Sequence, residues 1–421
     1  MKSAWHLFKT RQFSPLFFVQ FLGAFNDNIF KNTVAIVLTF QGASWTNVSA
    51  ALLAPLVGAI FILPFFLFSA FAGEIADRYD KALIIRIVKV FEILLMIGGL
   101  IAFMVHSFNI LLLIIFGLGI HSTFFGPIKY AILPQHVELK KLVAANSFVE
   151  SGTFVAILLG SVFGGVLANL EQGGVIASIS GILFALMGYR LSKEIPNAPS
   201  YHQENYPLTD WMGQFKRSLK IGFESPLIGF SIIAISLFWL YGSILLSQFP
   251  IVVKESFQGK EILVTILLAV FTIGIGLGSL ICERFSRGKI STSLMLVGAF
   301  GLGIFGVDFS IVLQNLNVNA YEESYYHLLI AVGFIGLFGG LLSVPFYTLL
   351  QQYSLPQKRS RVIAANNIIN ALFMVFGAIS VVVFTQYGLK TSEILLISAL
   401  LSSSLLFAIS YWIDSQIKKE C

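Results

Sequence analysis

The chain has 421 residues, 57% of them hydrophobic and 11% charged, with a formal net charge of +6. A water-soluble chain carries about 25% charged residues, so this one lacks the polar surface to cover itself in water, and lipid is the expected solvent. Its two cysteines, Cys282 and Cys421, make no disulfide framework.

The first apolar run exceeds the roughly 7–15 residues of a signal-peptide core, and no small-residue cleavage pattern follows it. It reads as a retained span, and no lipidation signal accompanies it. A helix needs about 20 apolar residues to cross the hydrocarbon layer. Twelve segments qualify. In chain order they are 14–40, 47–73, 82–105, 109–133, 143–168 and 173–191, then 226–250, 261–282, 290–312, 325–350, 362–386 and 392–414. Backbone groups in lipid must be paired within their own segment, which makes spans of this length helices. The ~10-residue alternating segments of a membrane β-barrel are absent. The predicted class is therefore an all-α membrane protein with twelve transmembrane helices.

The basic residues set the expected orientation. With the N-terminus in the cytoplasm, about 22 of the 27 Lys and Arg fall on the inner side, among them Arg78, Lys81, Lys140, Lys141, Lys216, Arg217, Lys220, Arg284, Arg287, Lys289, Lys358, Arg359 and Arg361. The outer loops keep Lys254, Lys260 and Lys390. Both termini are predicted to be cytoplasmic. The longest loop, 192–225, divides the chain into an N-terminal half (1–191) and a C-terminal half (226–421). Within that loop Trp211, Phe215 and Leu219 repeat every four residues, with Lys216, Arg217 and Lys220 off the stripe. This is an amphipathic helix, lying either on the inner membrane surface or against the bundle.

The halves echo one another. FFGPIKYAILP and AANSFVESGTFVAILLGS at spans four and five answer LLSVPFYTLLQ and AANNIINALFMVFGAIS at spans ten and eleven. Pro127 and Pro345 lie 218 residues apart, and Ala144 and Ala364 lie 220 apart. Both copies follow an even-numbered span, so the repeat is parallel. This is the symmetry of the two major-facilitator halves.

Between spans two and three, Gly73-Glu-Ile-Ala-Asp77-Arg78-Tyr-Asp-Lys81 resembles the major-facilitator loop motif, with Gly allowing close helix approach and the charges capping helix ends. Asp80 replaces the motif's second Gly, which predicts a looser turn. Gly278, Glu283, Arg284 and Lys289 form a partial echo in the second half.

Charges within spans are costly and point to function. Five stand out, all in the first half: Asp27, Lys31, Glu92, Lys129 and Glu150. Asp27 is near the middle of span one, with Lys31 at i+4 on the same face and Asn26, Asn28 and Asn32 around it. They form either a self-neutralising pair or part of a polar site. Lys129 either snorkels to the interface or pairs with Glu150. Glu92 reads as a bond acceptor between helices. Tyr241, Gln248, Tyr347 and Gln351 in the second half either complete a polar lining or join helices.

FLGAFNDNIFK (21–31), FFGPIKYAILP (124–134), AANSFVESGTFVAILLG (144–160) and GSLICERFSRGKI (278–290) resemble the lysophospholipid transporter family of bacterial inner membranes, within the major facilitators. The resemblance implies a major-facilitator fold. It also implies flipping of lysophosphatidylethanolamine, and of lysophosphatidylglycerol, from the outer to the inner leaflet for reacylation. Carried over by motif, Asp27, Asn28, Lys31, Lys129, Tyr130 and Glu150 would bind substrate. Gly73, Asp77, Arg78 and Lys81 would gate, with the loop latching the outward-open state. Family members also occur fused to an acyltransferase and an acyl-acyl-carrier-protein synthetase. No such segment follows Asp414 here, so acylation would fall to a separate protein. A monomer among membrane lipids is expected, with no cofactor, metal or nucleic acid.

The closest alternative is a major facilitator for a drug, siderophore or metabolite, with Asp27 or Glu150 carrying protons. An enzyme is a different class. No His has Asp five positions on, as a glycerolipid acyltransferase dyad needs, and no G-x-x-x-x-G-K-[ST] phosphate loop exists.

Overall fold

The computed structural model describes residues 2–201, 207, 209–256, 261–315 and 321–420; Lys260, Cys421 and part of the 192–225 loop lie outside them. A short N-terminal turn leads into α1 (Ser14–Gln41), α2 (Ala50–Arg78), α3 (Lys81–Met104), α4 (Phe108–His136), α5 (Leu142–Ala168) and α6 (Gly173–Ser192). The 12-residue helix α7 (Trp211–Gly222) follows. The second half supplies α8 (Pro226–Ser256), α9 (Glu261–Ser286), α10 (Thr292–Gln314), α11 (Tyr321–Tyr353), α12 (Arg359–Gln386) and α13 (Thr391–Glu420). All twelve predicted spans are thus helices, and no strand occurs among the described residues.

Eleven of these helices are long and apolar enough to cross a membrane. The exception is α1, whose middle carries Asn26, Asp27, Asn28, Lys31 and Asn32. Its side-chain amides are satisfied along the helix itself, Asn28 donating to the Ala24 carbonyl at 2.8 Å and Asn32 to the Asn28 carbonyl at 2.8 Å. Large apolar side chains such as Leu94, Phe300 and Val382 stand outward. So continuous an apolar exterior is foreign to a soluble monomer and fits lipid contact.

The chain packs as two compact units. One comprises 1–138, 156–221 and 354–368; the other comprises 139–155, 222–353 and 369–421. Small residues let helices close up in each. In the first unit a Cβ at Gly160 would sit 2.5 Å from the Phe25 carbonyl oxygen, and one at Gly164 would sit 2.6 Å from that of Ile29. Only glycine admits α1 there. Thr33 then donates to the Gly164 carbonyl at 3.0 Å and Asn32 to Ser161 at 3.0 Å. In the second unit Asn146 and Gln351 exchange amide hydrogen bonds at 2.6 and 3.0 Å, and Asn146 also donates to Thr348 at 3.0 Å. Ser151 donates to the Gly276 carbonyl at 2.9 Å, tying α5 to α9.

Helix α7 packs against the bundle. Trp211 donates its indole N–H to the Leu67 carbonyl at 2.7 Å, Phe215 meets Phe66 edge-on at 5.9 Å, and Gln214 and Ser218 are buried. Its Lys216 and Lys220 face outward. Its Arg217 guanidinium donates to Asp210, just ahead of the helix, at 3.0 Å and holds that exposed carboxyl below its ordinary value.

Candidate functional site: a buried charge cluster and a helix-end latch

Four helices of the first unit meet at a polar knot. Lys89 and Glu92 lie on α3 as a fully buried ion pair with 2.6 Å between Nζ and Oε2. Lys89 reaches this point because α1 and α6 present glycines beside it. A Cβ at Gly23 would lie 2.8 Å from its Nζ, and one at Gly188 would lie 3.4 Å from its Cδ. The Phe125 ring stands 5.5 Å from the ammonium. Glu92 also accepts from Asn26 of α1 at 2.7 Å, and Asn26 donates to the Gly181 carbonyl of α6 at 3.3 Å. Glu92 is therefore the interhelical acceptor that the sequence suggests.

His121 of α4 sits between two carboxylates. Its Nε2 is 3.4 Å from Glu92 and its Nδ1 is 3.7 Å from Asp27. Asp27 accepts from the Ser122 hydroxyl through Oδ2, while Oδ1 and both ring nitrogens of His121 make no hydrogen bond among the described residues. Asp27 and His121 are about as buried as the core, at 5% and 2% exposed.

Of the two readings of Asp27 and Lys31, the self-neutralising pair does not form as a direct contact. Lys31 donates to the Asn28 side chain at 3.0 Å, and its ammonium lies over the Phe61 ring at 4.9 Å. Asp27 turns instead toward α4. The two charges share a helix face but have separate partners. Lys129 is half-buried with its ammonium 4.8 Å from the Tyr130 ring. Glu150 is buried and belongs to the second unit.

The expected confinement of span charges to five positions in the first half needs two corrections. Lys89, assigned to the cytoplasmic side by the basic-residue count, lies inside α3 and is 1% exposed. Asp308 on α10 adds a carboxylate to the second half, where His327 of α11 meets it at 2.9 Å. His121 gives no signal in the sequence, where it stands alone in an apolar span. Its pairing needs residues 27, 92 and 121 from three helices, and no local spacing signals that. Of the second-half polar residues, Gln351 and Tyr347 join helices, Gln351 pairing with Asn146 and the Tyr347 hydroxyl accepting from Trp239 at 3.3 Å, whereas Gln248 donates to Ser247 of its own helix at 3.2 Å.

The gating motif is built around the start of α12. Asp77 accepts from the backbone N–H of Ser360 at 2.9 Å and of Arg361 at 3.2 Å, and from the Arg361 guanidinium at 3.2 Å. Those two N–H groups belong to the first turn, where no carbonyl is available to them and an anion is favoured. Glu74 pairs with Arg78 at 2.7 Å and with Arg361 at 3.5 Å. Gly73 permits the approach, since a Cβ there would lie 2.6 Å from the Ala364 Cβ. The turn is not loose, contrary to expectation. Asp80 caps α3 by accepting from Leu83 N–H at 3.0 Å, and it holds Ala198 N–H at 2.9 Å. The backbone N–H of Lys81 donates to the Ala198 carbonyl at 3.0 Å. The echo glycine Gly278 instead faces Leu337 of α11.

Twelve long helices in a parallel-repeat chain, with a charged loop after the second span, define a polytopic membrane protein of the transporter type. The sequence profile of the Major Facilitator Superfamily matches residues 16–378, and the chain belongs to that family. Among its relatives, the lysophospholipid transporter LplT of Serratia proteamaculans is 29% identical over 345 residues, covering 79% of this chain and 78% of that protein. That of Photorhabdus laumondii is 28% identical over 349 residues, covering 82% and 80%. The human organic anion transporter MFSD10 shares the fold at a TM-score of 0.71 and 13% identity, over 96% of this chain and 99% of that one. A bacterial homologue of the iron transporter ferroportin, in an outward-facing state, gives 0.67 and 16% over 94% and 99%.

Proposed function

We propose that this protein moves lysophospholipids, lysophosphatidylethanolamine and lysophosphatidylglycerol, from the outer to the inner leaflet of a bacterial inner membrane, with both termini cytoplasmic. It acts as a transporter rather than an enzyme, and a separate acyltransferase consumes the delivered lipid. The observation that carries this is chemical. In the middle of α1, Lys31 and Asp27 offer opposite charges one turn apart, each with its own partner rather than bound to the other. A zwitterionic head group needs both signs. The relatives named lysophospholipid transporters support the substrate class.

Lys31, with Asn28 beside it, takes the phosphate, and Asp27 takes the ammonium. Lys129, Tyr130 and Glu150 are assigned to the same path. The acyl chain needs an apolar, adaptable wall, for which the 41 Phe of the chain give ample material. Transport proceeds by alternating access between the halves 1–191 and 226–421, joined by 192–225. Gly73, Asp77, Arg78 and Lys81 work as a latch: Asp77 must leave the N-terminus of α12 for the state to change.

The test is uptake of labelled lysophosphatidylethanolamine by spheroplasts without a transporter of their own. Uptake by the wild type and its loss in Asp27→Asn is the expected result. No uptake by well-expressed wild type would transfer the protein to another small solute. Unchanged uptake in Asp27→Asn would remove Asp27 from the site.

A further inference from the structure

We propose that segment 193–200, where the chain leaves the first half, is a strap that holds the α2–α3 turn in the shape the latch requires, with Asp80 and Ser200 as the positioning residues; this rests on the reading of Asp77 as a latch. The argument begins with stiffness. The segment reads Lys-Glu-Ile-Pro-Asn-Ala-Pro-Ser. Proline fixes its own φ and confines the residue before it to extended conformations. Ile195, Pro196, Ala198 and Pro199 therefore have little freedom. Ile195 and Ala198, three residues apart, are buried, while Asn197 and Pro199 are exposed. A repeat of three is the period of an extended proline-rich strand, here with one edge laid against the protein.

The polar groups of this strand go to helix ends. The last four carbonyls and the first four N–H groups of a helix have no partner within it. At the end of α2, the Asp77 carbonyl accepts from the Ser200 hydroxyl at 2.6 Å. At the start of α3, the Lys81 N–H donates to the Ala198 carbonyl at 3.0 Å. Asp80 accepts from the Ala198 N–H at 2.9 Å through Oδ2, while its Oδ1 caps α3. Arg86 of α3 donates to the Ser192 and Ile195 carbonyls at 3.5 and 3.3 Å. Gln135, at the end of α4, donates to the Pro199 carbonyl at 3.4 Å, and Arg11, ahead of α1, donates to that of Glu194 at 3.0 Å.

Asp77 is thus held from two sides. Its carboxylate meets the first turn of α12 through the N–H groups of Ser360 and Arg361, and its carbonyl is fixed by the strap. Only Tyr79 and Asp80 separate α2 from α3. A shift of the strap therefore moves the Asp77 carboxylate against α12. This accounts for Asp80 where the family motif has its second glycine. A glycine has no side-chain oxygen to cap α3 or to hold Ala198. The carboxylate does both, one oxygen each, and ties the latch to the segment that joins the halves.

Alkylation of Ala364→Cys, with Cys282 and Cys421 replaced, reads the latch, because Ala364 is buried against Gly73. Asp80→Ser keeps a side chain that caps helices about as well as Asp but leaves Ala198 without its acceptor. Ser200→Ala releases the Asp77 carbonyl. Each is expected to raise the alkylation rate about fivefold, the effect of one lost hydrogen bond, with the Tm of Asp80→Ser in detergent unchanged. Combined with Asp77→Asn, neither is expected to raise the rate further, since the strap acts through Asp77. An unchanged rate in either variant, beside a rise in Asp77→Asn, overturns the strap and leaves the latch. A further rise on top of Asp77→Asn also overturns it, because the segment then secures the fold at large. No rise in Asp77→Asn removes the latch reading, and the strap with it. Ser200→Ala lies outside the helices and decides the matter if Asp80→Ser fails to fold.

Discussion

At the scale of single residues, Lys89 shows how strongly this bundle is committed to its polar knot. Its ammonium has Glu92 at 2.6 Å and is closed in by Gly23 and Gly188. Removing one partner of such a buried pair leaves the other uncompensated, at a cost of about 3–5 kcal/mol. Lys89→Met is therefore expected to destabilise the protein by that amount in denaturant titrations in detergent, and Lys89→Met with Glu92→Gln to regain much of it. Asp27 and Lys31 should separate by substrate instead. Lys31→Gln is expected to slow uptake of both lysolipids alike, by about tenfold, equivalent to about 1.4 kcal/mol, because both carry a phosphate. Asp27→Asn is expected to slow lysophosphatidylethanolamine far more than lysophosphatidylglycerol. Initial rates with the two labelled lipids decide this.

Between elements, close approach and helix-end chemistry govern the packing. Gly160 and Gly164 bring α5 onto the backbone of α1, so Gly160→Leu must push against the Phe25 carbonyl. Overpacking of this kind costs about 1–3 kcal/mol, and a reduced monodisperse fraction in size-exclusion chromatography is the expected sign. At the latch, Asp77→Asn keeps an acceptor but loses the charge that answers the N-terminus of α12, a contribution of up to about 2 kcal/mol in a partly buried setting. A cysteine at Ala364, which lies against Gly73, reports on this. With Cys282 and Cys421 replaced, Ala364→Cys should be alkylated about tenfold faster when Asp77→Asn is added.

How much of this was legible in sequence divides along the same line. The helices could be read because lipid leaves long apolar segments no other backbone solution, and predicted and observed bounds mostly differ by a few residues at the ends. The family loop could be read because Gly73, Asp77 and Arg78 fall within six consecutive residues. The knot could not. Lys89 is eight residues into α3 and was counted with the inner-face cations, yet two glycines from other helices give it room inside. His121 becomes a bridging group only when α1, α3 and α4 are assembled. Asp80 misled in the other direction: a non-glycine in the motif suggested slack, whereas its carboxylate caps α3 and grips Ala198.

At the scale of the whole molecule, the two compact units do not coincide with the two sequence halves. Residues 139–155, from the first half, pack in the second unit, and residues 354–368, from the second half, pack in the first. Each exchanged segment makes buried polar bonds that its own half cannot replace. Asn146 needs Gln351 and Thr348, and Asp77 needs the N–H groups of Ser360 and Arg361. A half expressed alone would therefore leave buried donors and acceptors unpaired, at about 1–3 kcal/mol each, which is large against the marginal stability of a folded chain. The expected outcome is that 1–201 and 207–421, made as separate polypeptides, are each degraded when expressed singly. Co-expressed, they are expected to accumulate, co-purify through a tag on one half and restore lysolipid uptake. Stable accumulation of a single half, at the level seen in co-expression, would show that the exchanged segments contribute little to either unit.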